Sequence, residues 1–341
     1  MTPVFTREEV ESARAIVRAT VPPTPQYAWP LLRERLGFDV WVKHENHTPA
    51  GAFKVRGGLT YFDSLVRGAP RLAGVVAATR GNHGQSVGLA ARRYGLPATI
   101  VVPHGNSVEK NAAMRSLGVT LLEHGDEFQS AREHAIALAA ERGLHMVPSY
   151  HRELVRGVMT CWLEFFESFA RGEEPDVVYI PIGLGSGFCA AAAARAFTGA
   201  RSRLVGVVSA HATTYLDSFR AGRVVASPVT TRLADGMACR IAEDEALRVV
   251  VQEAEELVAV SDDEVAQAMR VLFADTHNVA EGAGAAALAA AMQQRERWVG
   301  RSVGVALTGG NVDSAVFAHV LAERSQDTWR DSSTPGRSNQ R

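Results

Sequence analysis

The chain is 341 residues long, 46% hydrophobic and 21% charged, and its 36 basic and 37 acidic side chains leave a formal net charge of -1. That length predicts about two domains with a sizeable core, and the charge balance offers no bulk positive field to nucleic acid or an anionic membrane. Every apolar stretch is broken by charge well before about 18 residues, so no bilayer-spanning helix is expected, and MTPVFTREEVESARAIVR lacks the apolar core of a secretion signal.

Along the chain, the first element is a helix opened by the capping box Thr6…Glu9, in which each partner satisfies an orphan amide. A strand is predicted near Val40–Lys43. It leads into His47-Thr48-Pro49-Ala50-Gly51-Ala52-Phe53-Lys54-Val55-Arg56-Gly57-Gly58, where a lysine sits in apolar, glycine-rich company. Desolvation there lowers the pKa of an ammonium and frees the amine as a nucleophile toward carbonyls, chemistry that arginine does not supply. Lysine is rare, with Lys43, Lys54 and Lys110 the only three. Lys43 reads as a strand-end residue. Lys110 lies on an amphipathic helix predicted at Glu109–Leu117 and is expected to be exposed. His44 and His47 have a spacing that could suggest a metal, but no carboxylate or cysteine has matching ligand spacing, and no metal is expected.

Further strands are predicted near Gly74–Ala78, Ala98–Val102, Thr120–Leu122, Val177–Ile180, Leu204–Val208 and Val303–Leu307. They alternate with helical patterns such as Gln85–Tyr94, which predicts parallel strands with helices on both faces. A second capping box stands at Ser261…Glu264. Three of the strands end on glycine turns. The first turn, Thr79-Arg80-Gly81-Asn82-His83-Gly84, opens a helix whose free amides make an anion site suited to a carboxylate. The second, Ile182-Gly183-Leu184-Gly185-Ser186-Gly187, precedes a small-residue helix at Phe188–Phe197. Its glycines let the backbone close on a phosphate, and Ser186 can donate a hydroxyl. A dinucleotide fingerprint, and the nicotinamide oxidoreductase it would imply, is the rival. Its third glycine would fall at Phe188, and the acid expected about 20 residues on is Ser209. The third turn, Thr308-Gly309-Gly310-Asn311, places a hydroxyl where it can reach a ring nitrogen or another ligand atom. A Schiff-base lysine, a phosphate cup, a carboxylate site and a strand-end hydroxyl are the four features that pyridoxal 5′-phosphate requires. Cys161, Cys189 and Cys239 include no CxxC pair, are expected as small buried side chains, and point to a reducing compartment. The polar tail, residues 325–341, is expected to be disordered.

The order of these motifs resembles that of the pyridoxal-phosphate enzymes of fold type II, the tryptophan synthase β-like family. Within that family it resembles the serine/threonine dehydratases, from about Thr24-Pro25 to Asp313. Ala52-Phe53-Lys54-Val55-Arg56-Gly57 looks like the family's lysine segment, Gly81-Asn82-His83-Gly84-Gln85 like its substrate-carboxylate loop, and Gly183–Gly187 like its phosphate loop. Ala234-Asp235-Gly236, Glu281-Gly282-Ala283-Gly284-Ala285 and Thr308–Asn311 follow in the expected order. The resemblance implies an α/β architecture of two three-layer domains with parallel or mixed sheets and the cofactor in the cleft between them. The larger domain would comprise residues 1–49 and 149–324, the smaller inserted one residues 50–148. It implies that Lys54 carries pyridoxal phosphate as a Schiff base. Phe53, Asn82, Gly183, Leu184, Gly185, Ser186, Gly187, Gly236, Glu281 and Thr308 would bind the cofactor, with Asn82 at the 3′-oxygen and Thr308 at the ring nitrogen. Thr79, Arg80, Gly81, Asn82 and His83 would face the substrate.

The activity implied is that of an ammonia-lyase of amino-acid metabolism, acting on L-threonine or L-serine in a cytoplasmic homodimer and yielding a 2-oxo acid. His83 stands where cysteine synthase and threonine synthase relatives usually carry threonine, which points to the dehydratases and serine racemases. Arg80 departs from the pattern, because the dehydratases have a small residue there and the serine racemases a reactive serine. That argues against racemisation and opens an alternative in which Arg80 reads a larger or acidic substrate: 3-phenylserine, 3-hydroxyaspartate or a hydroxyectoine-derived compound. Ser209 replaces the acid that usually begins a divalent-cation site, so no structural Mg or Ca is expected there. No isoleucine-responsive regulatory domain is expected after the last strand. Replacement at the β-carbon by a thiol is the nearest rival reaction.

Overall fold

The structure is a computed structural model and describes residues 5–69 and 71–323. The tail at 325–341 lies outside the described residues. The strands, in chain order, are β1 (Gln26–Ala28), β2 (Asp39–His44), β3 (Val75–Ala78), β4 (Ala98–Val102), β5 (Thr120–Glu123), β6 (His145–Met146), β7 (Val177–Pro181), β8 (Arg203–Ser209), β9 (Ala254–Val260) and β10 (Ser302–Leu307). They form a six-stranded sheet in the order β1-β2-β10-β7-β8-β9 and a four-stranded sheet in the order β5-β4-β3-β6. Every pairing is parallel except β1 with β2.

The helices are α1 (Arg7–Arg18), α2 (Pro30–Leu36), α3 (Lys54–Gly68), α4 (Asn82–Arg93), α5 (Val108–Ser116), α6 (Phe128–Arg142), α7 (Arg152–Glu167), α8 (Ser186–Thr198), α9 (Thr214–Ala221), α10 (Asp244–Glu253), α11 (Asp262–Thr276), α12 (Gly282–Gln293) and α13 (Ser314–Ala322). None of these is long and apolar enough to cross a membrane. Both capping boxes form, Thr6 with Glu9 at α1 and Ser261 with Glu264 at α11.

Alternation along the strands explains the layers. On β7, Val177 and Tyr179 join the core that α11 and α12 cover, while Val178 and Ile180 join the core under α7, α8 and α10. The four-stranded sheet divides likewise, with Val75, Ala77 and Ile100 packed toward α4 and Val76, Ala78 and Val101 toward α6. All seven strands expected from the sequence are present, within a residue at each end; those buried on both faces, such as β3 and β7, read as continuous apolar runs, while β5 is a half-exposed edge strand. Three others gave no such signal. β1 is short and its Tyr27 is exposed, β6 is two residues long, and β9 begins Ala254-Glu255-Glu256 directly off a helix. All four strands of the smaller sheet come from residues 75–146, so it is a continuous insertion between strands of the larger one.

This winding collects four strand ends. The chain leaves the C-terminal ends of β2, β3, β7 and β10 into the lysine segment and the three glycine turns, where open parallel sheets place their ligands.

Candidate active site

Lys54 is the first residue of α3. The segment before it is stitched to the turn after β10. Ala52 bridges Gly309, Phe53 N donates to Thr308 O at 3.0 Å, and Thr48 Oγ1 both accepts from Ala52 N and donates to Ala52 O, each at 2.9 Å. Ser86 Oγ donates to Lys54 O at 2.7 Å, which ties α3 to α4. The Lys54 Nζ lies 4.8 Å from the centroid of the Phe53 ring, and among the described residues it has neither a hydrogen bond nor an ion pair. Burial pushes its pKa down from the ordinary lysine value, and the attraction of Glu281 and Asp235 only partly opposes this.

The second turn is an anion cradle. Gly185 has φ +95°, a left-handed conformation that suits glycine, and a Cβ there would come 2.5 Å from Ala246 Cβ. A Cβ on Gly183 would collide with Gly236 O. The backbone then turns into α8 at Ser186, and among the described residues no amide from Gly183 to Phe188 has a backbone partner. Open amides at the positive end of a helix fit a phosphate. The Phe53 ring lies 3.8 Å from where a Cβ on Gly187 would stand, so the lysine segment runs beside the cradle.

At the start of α4 the amides divide. Thr79 N donates to Val101 O at 3.1 Å and Gly81 N to Thr79 Oγ1 at 3.0 Å. Those two expected carboxylate donors are committed within the protein. The amides of Arg80, Asn82 and His83 have no backbone partner among the described residues. Asn82 is fixed from both sides. Its Nδ2 donates to Glu281 Oε1 at 2.5 Å, and its Oδ1 accepts from Asn311 Nδ2 at 3.0 Å. A second hydrogen on Nδ2 remains for a ligand. His83 is buried, and burial together with the nearby Lys54 pushes its pKa down to about 4, so the ring is neutral at pH 7. Arg80 is exposed, with no hydrogen bond or ion pair among the described residues. Thr308 Oγ1 donates to Ala283 O at a long 3.4 Å.

One expectation is overturned. Lys110 is 7% exposed, not a surface residue. Its Nζ lies 2.7 Å from Asp235 Oδ2 and 3.5 Å from Glu281 Oε2, inside the site. The reason is tertiary: α5 turns this face toward the 3-10 turn at Asp235–Met237 and the start of α12, a pairing that helical periodicity does not reveal. Asp235, Asn311 and Ser86 were also missed as site residues. The first two lie within motifs already singled out, and the rarity of lysine was the available clue to Lys110. His44 and His47 serve local packing. His44 Nε2 accepts from Trp29 Nε1 at 3.0 Å, and His47 Nε2 meets Asn278 Oδ1 at 2.8 Å. All three cysteines are buried.

A desolvated lysine unpaired among the described residues, an open-amide turn and an anchored amide at a second helix start all belong to one α/β fold of type II, and these residues fit pyridoxal phosphate. The chain belongs to the pyridoxal-phosphate dependent enzymes, whose family model matches residues 17–309. It is 31% identical over 319 residues to an L-threonine ammonia-lyase of Thermotoga maritima, an alignment spanning 93% of this chain and 78% of that one. It is 28% identical over 320 residues to an L-threo-3-hydroxyaspartate ammonia-lyase of Saccharomyces cerevisiae, spanning 94% and 97%. Among solved structures, a threonine deaminase of T.th. superposes with a TM-score of 0.83 at 27% identity, over 91% of this chain and 99% of that one.

Proposed function

We propose that this chain is a pyridoxal-phosphate-dependent ammonia-lyase that removes the elements of water from L-threonine or L-serine and yields a 2-oxo acid and ammonia. The observation that carries this reading is the buried Lys54 amine, unpaired among the described residues, beside a Phe53 ring that also flanks the Gly183–Gly187 cradle. Lys54 would hold the cofactor covalently, the cradle its phosphate, Asn82 its 3′-oxygen, and Thr308 its ring nitrogen. Gly236 and Glu281 would complete its surroundings. When bound, the cofactor supplies an electron sink for the pair left at Cα.

The chain's own residues do the rest. The open amides of Arg80, Asn82 and His83 hold the substrate carboxylate at the positive end of α4. The Lys54 amine, whose pKa burial lowers, accepts the Cα proton. The Cβ–oxygen bond then breaks, the departing hydroxide takes the proton held by Lys54 and leaves as water, and the released enamine hydrolyses in solution to the 2-oxo acid and ammonia. The Thr308 hydroxyl is neutral and donates no full charge to the ring, which favours prompt elimination over transamination. The test is release of 2-oxo acid and ammonia across a panel of 3-hydroxy amino acids. Product from threonine or serine that disappears in Lys54→Ala is expected. A thiol adduct formed in the presence of sulfide, in place of 2-oxo acid, would overturn the reading.

Arg80 favours a second reading of the substrate. An exposed guanidinium without a partner among the described residues, at the expected substrate loop, suits a carboxylate on the β-carbon, and the yeast relative is an L-threo-3-hydroxyaspartate ammonia-lyase. If Arg80 reads that group, Arg80→Ala lowers kcat/KM for 3-hydroxyaspartate far more than for threonine. A parallel loss on both would assign it to structural support. The same proposal includes a homodimer, a cytoplasmic location, and a smaller domain at 50–148 inserted into one built from 1–49 and 149–324. Sedimentation equilibrium and limited proteolysis test the first and last.

A further inference from the structure

We propose that Lys110 is a positioning residue of this site: a second lysine that reaches from the four-stranded sheet to Asp235 and Glu281 and takes up their charge, so that Lys54 does not. The inference rests on the reading that Lys54 is the reacting amine.

The geometry sets Lys110 against a pair of carboxylates whose field also reaches Lys54. Lys110 reaches them from α5, Asp235 stands on the 3-10 turn at 235–237, and Glu281 caps α12. The Lys110 Nζ is 2.7 Å from Asp235 Oδ2 and 3.5 Å from Glu281 Oε2. Its stem fills the space beside the substrate loop, for a Cβ on Gly81 would lie 2.7 Å from Lys110 Cδ. Glu281 divides its oxygens: Oε2 faces Lys110 and Oε1 accepts from Asn82 Nδ2 at 2.5 Å. A chain of contacts therefore runs from Lys110 through Glu281 and Asn82 to Asn311, whose Nδ2 also donates to Ala50 O at 2.8 Å, four residues before Lys54.

The charges follow the geometry. Burial works against both ammonium groups, yet Glu281 and Asp235 raise the pKa of Lys110 while that of Lys54 stays lowered. Burial raises the pKa of Glu281, which Lys110 opposes more than any other group. The remaining titratable group coupled to Lys54 is His83, whose pKa of about 4 leaves it neutral at pH 7. Without the Lys110 charge, Asp235 and Glu281 would turn their field on Lys54 and favour its protonated form.

The experiment is a pH titration of the visible absorbance of the cofactor-loaded enzyme, alongside the pH profile of kcat/KM, for Lys110→Met, Lys110→Arg and Asp235→Asn. In Lys110→Met the midpoint should rise by about one pH unit. Below that midpoint kcat/KM should fall about tenfold. Lys110→Arg keeps the charge and should restore the wild-type midpoint. Asp235→Asn should move it down. Opposite movements in the Met and Asn variants support the proposal, whereas midpoints that stay put or move together overturn it. Should Lys110→Met not fold, Asp235→Asn decides alone, a downward shift supporting and an unmoved midpoint overturning. Lys54→Ala separates the two layers. Absorbance lost there with an unmoved Lys110→Met midpoint removes only the role of Lys110, and absorbance retained removes the assignment of Lys54.

Discussion

Two clusters of two cations and two carboxylates lie within two residues of each other along α3, and they are built to opposite ends. Beneath the helix, Arg56 donates to Glu45 from Nε at 2.7 Å and to Glu164 from Nη1 at 2.8 Å, while Lys43 Nζ holds Glu164 at 2.7 Å and Thr24 O at 3.0 Å. Arg56 and Glu45 are both 0% exposed. Burial opposes the Arg56 charge, but Glu45 and Glu164 outweigh it and push its pKa up, and Arg56 with Lys43 lowers that of Glu164 against its own burial. Every charge there is paired. Above the helix, Lys110 takes the two carboxylates and Lys54 is left over. Saturating a buried cluster fixes geometry, whereas leaving one amine out of it keeps that amine reactive. The sequence Lys54-Val55-Arg56 thus joins the amine proposed to react to a rigid anchor reaching β2 and α7.

Breaking the upper cluster at its reactive member has the largest expected effect. Lys54→Ala should lower release of 2-oxo acid by about 10⁴-fold or more, since proton transfer alone contributes about 10²–10⁴. Circular dichroism should stay unchanged, because Lys54 supports no ion pair. Breaking the lower cluster should cost the fold instead. Arg56→Met strands Glu45 and Glu164 without their main partner and should lower stability by about 3–5 kcal/mol, read by chemical denaturation. Acid sharpens the same contrast. Glu164 has a folded-state pKa below its unfolded value, so its contribution to stability is present above the unfolded pKa and is lost as pH falls through the lowered folded one. The difference in stability between wild type and Glu164→Gln should therefore narrow as pH drops below the ordinary carboxylate range. The mildest change lies away from both clusters. Ser261→Ala removes the hydroxyl that accepts from Glu264 N at 3.2 Å and should cost about 1 kcal/mol with turnover unaltered.

The same contrast explains what the sequence disclosed. Lys54 and the Gly183–Gly187 cradle were legible because their chemistry is local, a rare amine in apolar company and glycines at a strand-to-helix turn. The saturated cluster was not, since Arg56 meets Glu164 across 108 residues of sequence and nothing in either segment names the other. Lys110 failed for the same reason, its carboxylates standing 125 residues away at Asp235 and farther still at Glu281. The strands followed the pattern: long parallel ones buried on both faces announce themselves, while β1 and β6 are held at sheet edges by pairing partners rather than by their own composition.

With only three lysines in the chain, the covalent assignment has a direct reading. Borohydride reduction of the cofactor-loaded enzyme, followed by proteolysis and mass spectrometry, should place the phosphopyridoxyl mass on the peptide containing Lys54, with Lys43 and Lys110 unmodified. The mass on Lys110, or on no lysine at all, would contradict the separation of the two clusters into one that anchors and one that reacts.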